Sequence, residues 1–87
     1  MNKIQYGFED KIATFITNNA GIDELDYDLK IFEEGVVNSL FAIELMTFIE
    51  KEFNIKIRID DLNMQNFESV NIIASFILKK KEGLNNE

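Results

Sequence analysis

Cysteine and histidine are both absent from this 87-residue sequence. Without cysteine, the chain has no disulfide framework, no thiol nucleophile and no thiolate metal ligand. Without histidine, it lacks the commonest general base and any Ser-His-Asp arrangement. The composition therefore predicts a protein that is not an enzyme.

Proline is also absent, and no apolar run approaches the ~18 residues that a membrane-spanning helix requires. The first residues do not resemble a signal peptide. We therefore expect a cytoplasmic protein that does not enter a membrane.

Bases are scarce relative to acids: nine Lys and Arg against sixteen Asp and Glu give a net charge of −7. Nucleic-acid binding is disfavoured, because phosphate recognition needs clustered Lys and Arg. An acidic surface suits a partner with a basic face. The length predicts a single domain over residues 1–87, folded over about residues 4–82 and ending in a loose tail at residues 83–87. We expect this domain to be a monomer.

A calcium site is the one metal centre that the acids suggest, because Asp23, Asp26 and Asp28 are closely spaced. An EF-hand loop needs a glycine at its sixth position, and counting from Asp26 that position is Ile31. The segment is interpreted as a solvated acidic loop, and no metal site is predicted.

Helical periodicity is clear in two segments and absent between them. Residues 3–19 carry an apolar stripe and are followed by Gly21, which predicts a first helix. Residues 39–53 predict a second helix. Residues 21–38 have no period but are rich in apolar side chains, so we expect a long loop that packs against the helices.

The second helix has two distinct faces on a helical wheel. The face predicted to be core carries Phe41, Ala42, Leu45, Met46, Phe48, Ile49 and Phe53. The opposite face carries Ser39, Leu40, Ile43, Glu44, Thr47, Glu50 and Lys51. Two apolar residues on that polar face, Leu40 and Ile43, indicate a docking patch, unless the long loop folds over them.

The C-terminal third is predicted to contain one short and one longer helix. Residues 55–59 alternate as a strand would, but no second strand is available to pair with them. A short helix is expected over about residues 60–66. Ser69 then caps a last helix over about residues 70–82, and Gly83 ends it. The inner face of that helix is predicted to carry Val70, Ile73, Ala74, Ile77 and Leu78.

Ser39 has two interpretations. Its hydroxyl could cap the second helix by accepting a backbone N–H. Alternatively, a phosphodiester attached to it would lie at the positive end of the helix dipole, which favours an anion. No neighbouring residue activates the serine, so another protein would have to catalyse such a modification.

The stretch around Ser39 resembles the acyl carrier protein family. The resemblance rests on FEEGVVNSL at residues 32–40, IEL at residues 43–45 and IEKEFNIKI at residues 49–57, and NFESV at residues 66–70 is similar to the opening of the family's last helix. It covers about residues 4–80. In two places the sequence departs from the family: Asn38 occupies the position of the usual aspartate, and Phe41-Ala42 is less polar than in fatty-acid synthase carriers. The second departure favours free-standing polyketide, peptidyl or D-alanyl carriers.

The resemblance implies an all-α four-helix bundle, with three longer helices, one short helix and a long first loop. It implies that Ser39 receives 4′-phosphopantetheine from coenzyme A through a separate phosphopantetheinyl transferase, and that the arm carries an acyl or aminoacyl group as a thioester. The expected partners are this transferase, a loading enzyme and a downstream acyltransferase or synthase. The implied recognition residues are Asn38, Leu40, Ile43, Glu44, Thr47 and Glu50.

The predicted function is therefore that of an acyl carrier protein. The alternative is a small acidic helical adaptor that binds a partner through Leu40 and Ile43 without any modification. No residue of the sequence indicates which acyl group or pathway is served.

Overall fold

The computed structural model describes residues 7–86, with side chains as far as Gly83. This part of the chain contains three α-helices, α1 (Gly7–Ala20), α2 (Ser39–Phe53) and α3 (Val70–Asn86). Two 3-10 turns, Ile59–Asp61 and Met64–Phe67, lie between α2 and α3. No strand forms within residues 7–86, so the all-α class is confirmed and the alternation at residues 55–59 does not produce a strand.

The predicted short fourth helix over residues 60–66 is wrong in detail, because the two 3-10 turns take its place. Asn63 interrupts the segment with an extended backbone (φ −131°, ψ 123°), and its side-chain oxygen accepts the N–H of Gln65 at 3.0 Å. That bond starts the second turn, and each turn is too short to become an α-helix. Residues 7–86 therefore form three α-helices, with two 3-10 turns in the connection between the second and the third.

The outer helix ends also differ from the prediction. The expected start of α1 at residue 3, including Ile4, lies outside the described residues. The expected end of α3 at Gly83 is wrong, because the helix continues to Asn86 and includes the first residues of the predicted tail. A glycine inside a helix costs only about 1 kcal/mol, and no proline follows to break the backbone hydrogen bonds.

α1 and α2 are antiparallel and joined by aromatic contacts. Phe8, near the start of α1, packs on Phe53 at the end of α2, with 5.0 Å between ring centroids. Phe15 stacks on Phe48 at 4.2 Å. Glu52 falls on the core face of the helical wheel, yet it remains exposed and pairs with Lys11 at 2.9 Å.

A single hydrophobic cluster joins the three helices to the long loop. Leu45 and Ile49 of α2 are fully buried, as the wheel predicts. Within α3 the predicted inner face is confirmed except for Leu78, which is 36% exposed. Phe76 is buried instead and packs on Phe67. The buried set is Ile12, Ala13, Ile16, Ile31, Phe41, Leu45, Ile49, Phe53, Ile55, Phe67, Val70, Ile73, Ala74, Phe76 and Ile77.

The long loop over residues 21–38 packs against the helices, as predicted. Ile31 is fully buried, and its N–H donates to the carbonyl oxygen of Glu68 at 3.0 Å. The Tyr27 hydroxyl donates to Asp10 of α1 at 2.6 Å, which raises the pKa of Tyr27. Asn71 of α3 donates from its side chain to Asp28 at 2.8 Å. These bonds fasten the loop to α1 and to the start of α3.

Ser69 caps α3, as predicted: its hydroxyl accepts the N–H of Ile72 at 3.2 Å. Among residues 7–86, no helix combines the length and the apolar character needed to cross a bilayer.

Candidate functional site

The start of α2 is capped by Asn38. Its backbone is extended (φ −113°, ψ 178°), and its side-chain oxygen accepts the N–H of Phe41 at 3.1 Å. Ser39 is consequently the first helical residue. The interpretation of Ser39 as the helix cap is therefore wrong, because the preceding residue performs that task.

Ser39 is exposed, and its hydroxyl forms no hydrogen bond with any residue between 7 and 86. Backbone N–H groups in the first turn of a helix lack partners within that helix. The hydroxyl thus lies at the positive end of the α2 dipole and does not cap the helix.

Apolar side chains flank Ser39 on the solvent side. Leu40 is 75% exposed and Ile43 is 63% exposed. The long loop does not cover them, so the prediction of an exposed patch is confirmed. Glu44 is exposed beside them, and the Thr47 hydroxyl donates to the carbonyl oxygen of Ile43 at 3.0 Å.

Glu50 differs from the other residues of this face. It is half-buried, and its carboxylate accepts the N–H of Ile57 at 2.8 Å. The helical wheel places Glu50 on the polar face, but its carboxylate is not simply solvated. This bond fastens the chain that follows α2 to the helix, so Glu50 has a structural function whether or not it also meets a partner.

An open depression of about 490 Å³ adjoins Ser39 and Asn38. The rest of its lining comes from the end of the long loop and from one residue of the second 3-10 turn: Phe32, Gly35, Val36, Val37 and Met64. A smaller depression of about 170 Å³ shares Phe32 and Met64 with it and extends towards Glu68.

The turn that leads into α2 depends on Gly35. Its φ of +78° lies in the left-handed region, which a residue with a Cβ rarely adopts. A Cβ at this position would meet no other atom within 4 Å, so the requirement is conformational and not steric crowding. Gly35 thereby helps to place Val36, Val37 and Asn38 beside Ser39.

Met64 was not identified from the sequence. It is 54% exposed and lines the same depression as Ser39, because the segment after α2 runs back along the helix. No periodicity or spacing signals that two such distant parts of a chain line one depression.

These residues fit a 4′-phosphopantetheine group. The Ser39 hydroxyl is a free point of attachment, and the dipole of α2 favours the negative charge of a phosphodiester. Asn38 is neutral and adds no repulsion. Phe32 and Met64 offer apolar surface to the uncharged remainder of the arm.

The model of the family described as "Phosphopantetheine attachment site" matches residues 10–77. The chain belongs to this family. The match spans α1, the long loop, α2 and most of α3, and so includes the whole depression around Ser39.

Two kinds of named carrier protein are similar to this chain. The D-alanyl carrier protein of Lactococcus lactis subsp. lactis (strain IL1403) is 30% identical over 76 residues, covering 85% of this chain and 96% of the relative. The acyl carrier protein of Phytoplasma australiense is 38% identical over 72 residues, covering 80% and 92%. The acyl carrier protein of Rickettsia bellii (strain OSU 85-389) is 31% identical over 83 residues, covering 93% and 99%.

The resemblance to acyl carrier proteins is thereby confirmed. Members of the family are non-catalytic carriers, and their cofactor is covalently attached 4′-phosphopantetheine. The chain is therefore a member of a family of carriers and not of enzymes.

Proposed function

We propose that Ser39 is the attachment residue and that the protein carries an acyl or aminoacyl group to partner enzymes of a biosynthetic pathway. The observation that supports this most strongly is the free, exposed hydroxyl of Ser39 at the first position of α2. When bound, 4′-phosphopantetheine supplies a terminal thiol that holds the cargo as a thioester, which a chain without cysteine cannot provide.

The chain contributes position and charge to the attachment. The Ser39 oxygen bonds to the phosphorus next to the pantetheine, the pyrophosphate bond of coenzyme A breaks, and adenosine 3′,5′-bisphosphate leaves. The hydroxyl proton passes to a base of the phosphopantetheinyl transferase, because no residue between 7 and 86 is hydrogen-bonded to the Ser39 hydroxyl to accept it. Asn38 holds the first turn of α2 in place through its bond to Phe41.

The proposed recognition face surrounds Ser39 on α2. Exposed Leu40 and Ile43 offer apolar contact, and Glu44 supplies negative charge for partners with a basic face. The full set is Asn38, Leu40, Ile43, Glu44, Thr47 and Glu50. The enzymes proposed to bind this face are the transferase, a loading enzyme and a downstream acyltransferase or synthase.

Intact-mass measurement tests the attachment. Incubation with coenzyme A and a promiscuous transferase should add one phosphopantetheine to the wild type and none to Ser39→Ala. The matched control is Ser75→Ala, which removes an exposed serine of α3 and should still accept one group. Modification of Ser39→Ala would refute the assignment of Ser39.

The unmodified adaptor is not favoured by the family match. The adaptor interpretation would be supported if transferases left the wild-type protein unchanged while its Leu40 and Ile43 patch still bound a partner. The cytoplasmic location and the monomeric state remain predictions of the sequence.

The cargo class is proposed as acyl or aminoacyl because the named relatives include both acyl and D-alanyl carriers. Loading the modified protein with candidate acyl and aminoacyl ligases, followed by intact mass, would separate the two.

A further inference from the structure

A second exposed surface lies at the other end of α2, in the turn over residues 56–60. Ile59 is 85% exposed, the highest value among the large apolar side chains that the structure describes. Lys56 and Arg58 on either side of Ile57 are exposed as well. An open depression of about 480 Å³ is lined by this turn alone: Lys56, Ile57, Arg58, Ile59 and Asp60.

Hydrogen bonds hold both ends of the 56–60 turn. Near its start, the N–H of Ile57 donates to Glu50 at 2.8 Å. After it, Asp61 accepts the N–H of Arg58 at 2.9 Å and pairs with Lys80 of α3 at 2.7 Å. The exposure of Ile59 is therefore a property of a fixed backbone, and a fixed surface loses less entropy when it binds.

The two cations of the turn form no close ion pair. Neither Lys56 nor Arg58 forms a salt bridge within residues 7–86, although the charge of Arg58 is near enough to help lower the pKa of Asp61. Asp60 is the one carboxylate that lines the depression. In a chain with a net charge of −7, the turn is a local region of positive charge beside an apolar side chain.

The end of the turn that is hydrogen-bonded to Glu50 lies far from Ser39, the proposed attachment residue. Glu50, which accepts the hydrogen bond from Ile57, lies eleven residues after Ser39 on α2. At 1.5 Å per residue, this is about 16 Å along the helix axis. The charge of the turn is also opposite to that of Glu44 beside Ser39.

We propose that the 56–60 turn is a second docking surface, which binds a protein segment that presents carboxylates beside an aliphatic side chain. Lys56 and Arg58 attract the carboxylates, and the aliphatic side chain packs on Ile57 and Ile59. This surface works independently of the Ser39 modification, so one protein can hold the carrier while another reads the α2 face. A lipid membrane is the weaker match, because the chain as a whole would be repelled by anionic headgroups.

The test uses the unmodified, isotopically labelled full chain and a short peptide of alternating leucine and glutamate. The peptide should shift the NMR amide signals of residues 56–60 and leave those of residues 40–44 unchanged. Arg58→Glu should weaken the affinity roughly tenfold, since an attractive charge contact becomes a repulsive one. Ile59→Ser should also weaken it without changing the melting temperature, because the side chain is exposed.

The matched control is Lys79→Glu, which makes the same charge change at an exposed lysine of α3. It should leave the affinity unchanged. An equal loss in Lys79→Glu, or unchanged binding in Arg58→Glu, would overturn the proposal. So would stronger binding to phosphatidylglycerol vesicles than to the peptide, which would indicate a membrane surface. None of these results depends on whether Ser39 is modified.

Discussion

The carboxylate of Glu50 accepts a hydrogen bond from the backbone N–H of Ile57 at 2.8 Å, although Glu50 lies on the face of α2 opposite the core. This bond turns the chain back along α2 after Asn54, whose left-handed backbone ends the helix. It thereby connects the helix that carries Ser39 to the segment that carries Met64 and the 56–60 turn.

Glu50→Ala should destabilise the fold. A partly buried N–H of Ile57 would lose its acceptor, which costs about 1–3 kcal/mol. Glu44→Ala, an exposed carboxylate on the same helix, is the control and should change stability by less than about 0.5 kcal/mol. Urea unfolding followed by circular dichroism measures both, and equal stability of the two variants would show that the bond contributes nothing.

Substitution of Asn38 should lower the stability of the fold, whereas substitution of Ser39 should prevent modification. Asn38→Ala removes the cap of α2 and should cost about 1 kcal/mol. Ser39→Ala removes a hydroxyl that has no hydrogen-bond partner among residues 7–86, so it should leave the melting temperature nearly unchanged while abolishing modification. Thermal melts of both variants, combined with the intact-mass assay, check this. A larger stability loss in Ser39→Ala than in Asn38→Ala would contradict the capping assignment.

Ile43 and Leu45 should behave in opposite ways. Leu45 is fully buried, so Leu45→Ala should cost about 2–5 kcal/mol. Ile43 is 63% exposed, so Ile43→Glu should keep the helical signal and the melting point. It should nevertheless slow modification or loading, because a charge enters an apolar contact beside Ser39. Unfolding of Ile43→Glu, or normal loading of a folded variant, would remove Ile43 from the recognition face.

Asp61 should make stability depend on pH. Burial alone would raise the pKa of its carboxyl, but the hydrogen bonds from Lys80 and from the Arg58 N–H outweigh burial and lower it. Because the folded pKa lies below the unfolded value of about 3.9, the stabilisation is present above that pH. It is lost as the pH falls through the folded pKa.

The comparison of wild type with Asp61→Asn isolates this effect from the other carboxylates. The wild type should be more stable than Asp61→Asn near neutral pH, and the difference should shrink on acidification below about pH 4. Chemical unfolding at a series of pH values measures it. A difference that stays constant with pH would show that the Asp61 carboxylate is not preferentially ionised in the folded state.

The sequence alone predicted the features of the fold that follow from a regular apolar period along a helix. The bounds of α2 and the burial of Leu45 followed from a 3.6-residue period, and so did the exposure of Leu40 and Ile43, because many residues of one helix report the same face. The motif around Ser39 likewise indicated the family before any fold was known.

The tertiary structure decided what depends on single contacts between distant residues. Asn38 and Ser39 are equally suitable caps by residue type, and the extended backbone of Asn38 decided that Asn38 is the cap. Two 3-10 turns replaced the short helix because an isolated short segment has too little propensity to resist the extended Asn63. Met64 lines the depression around Ser39, and Glu50 accepts a hydrogen bond from Ile57, only because the chain folds back on α2. No local sequence pattern predicts that the chain folds back in this way.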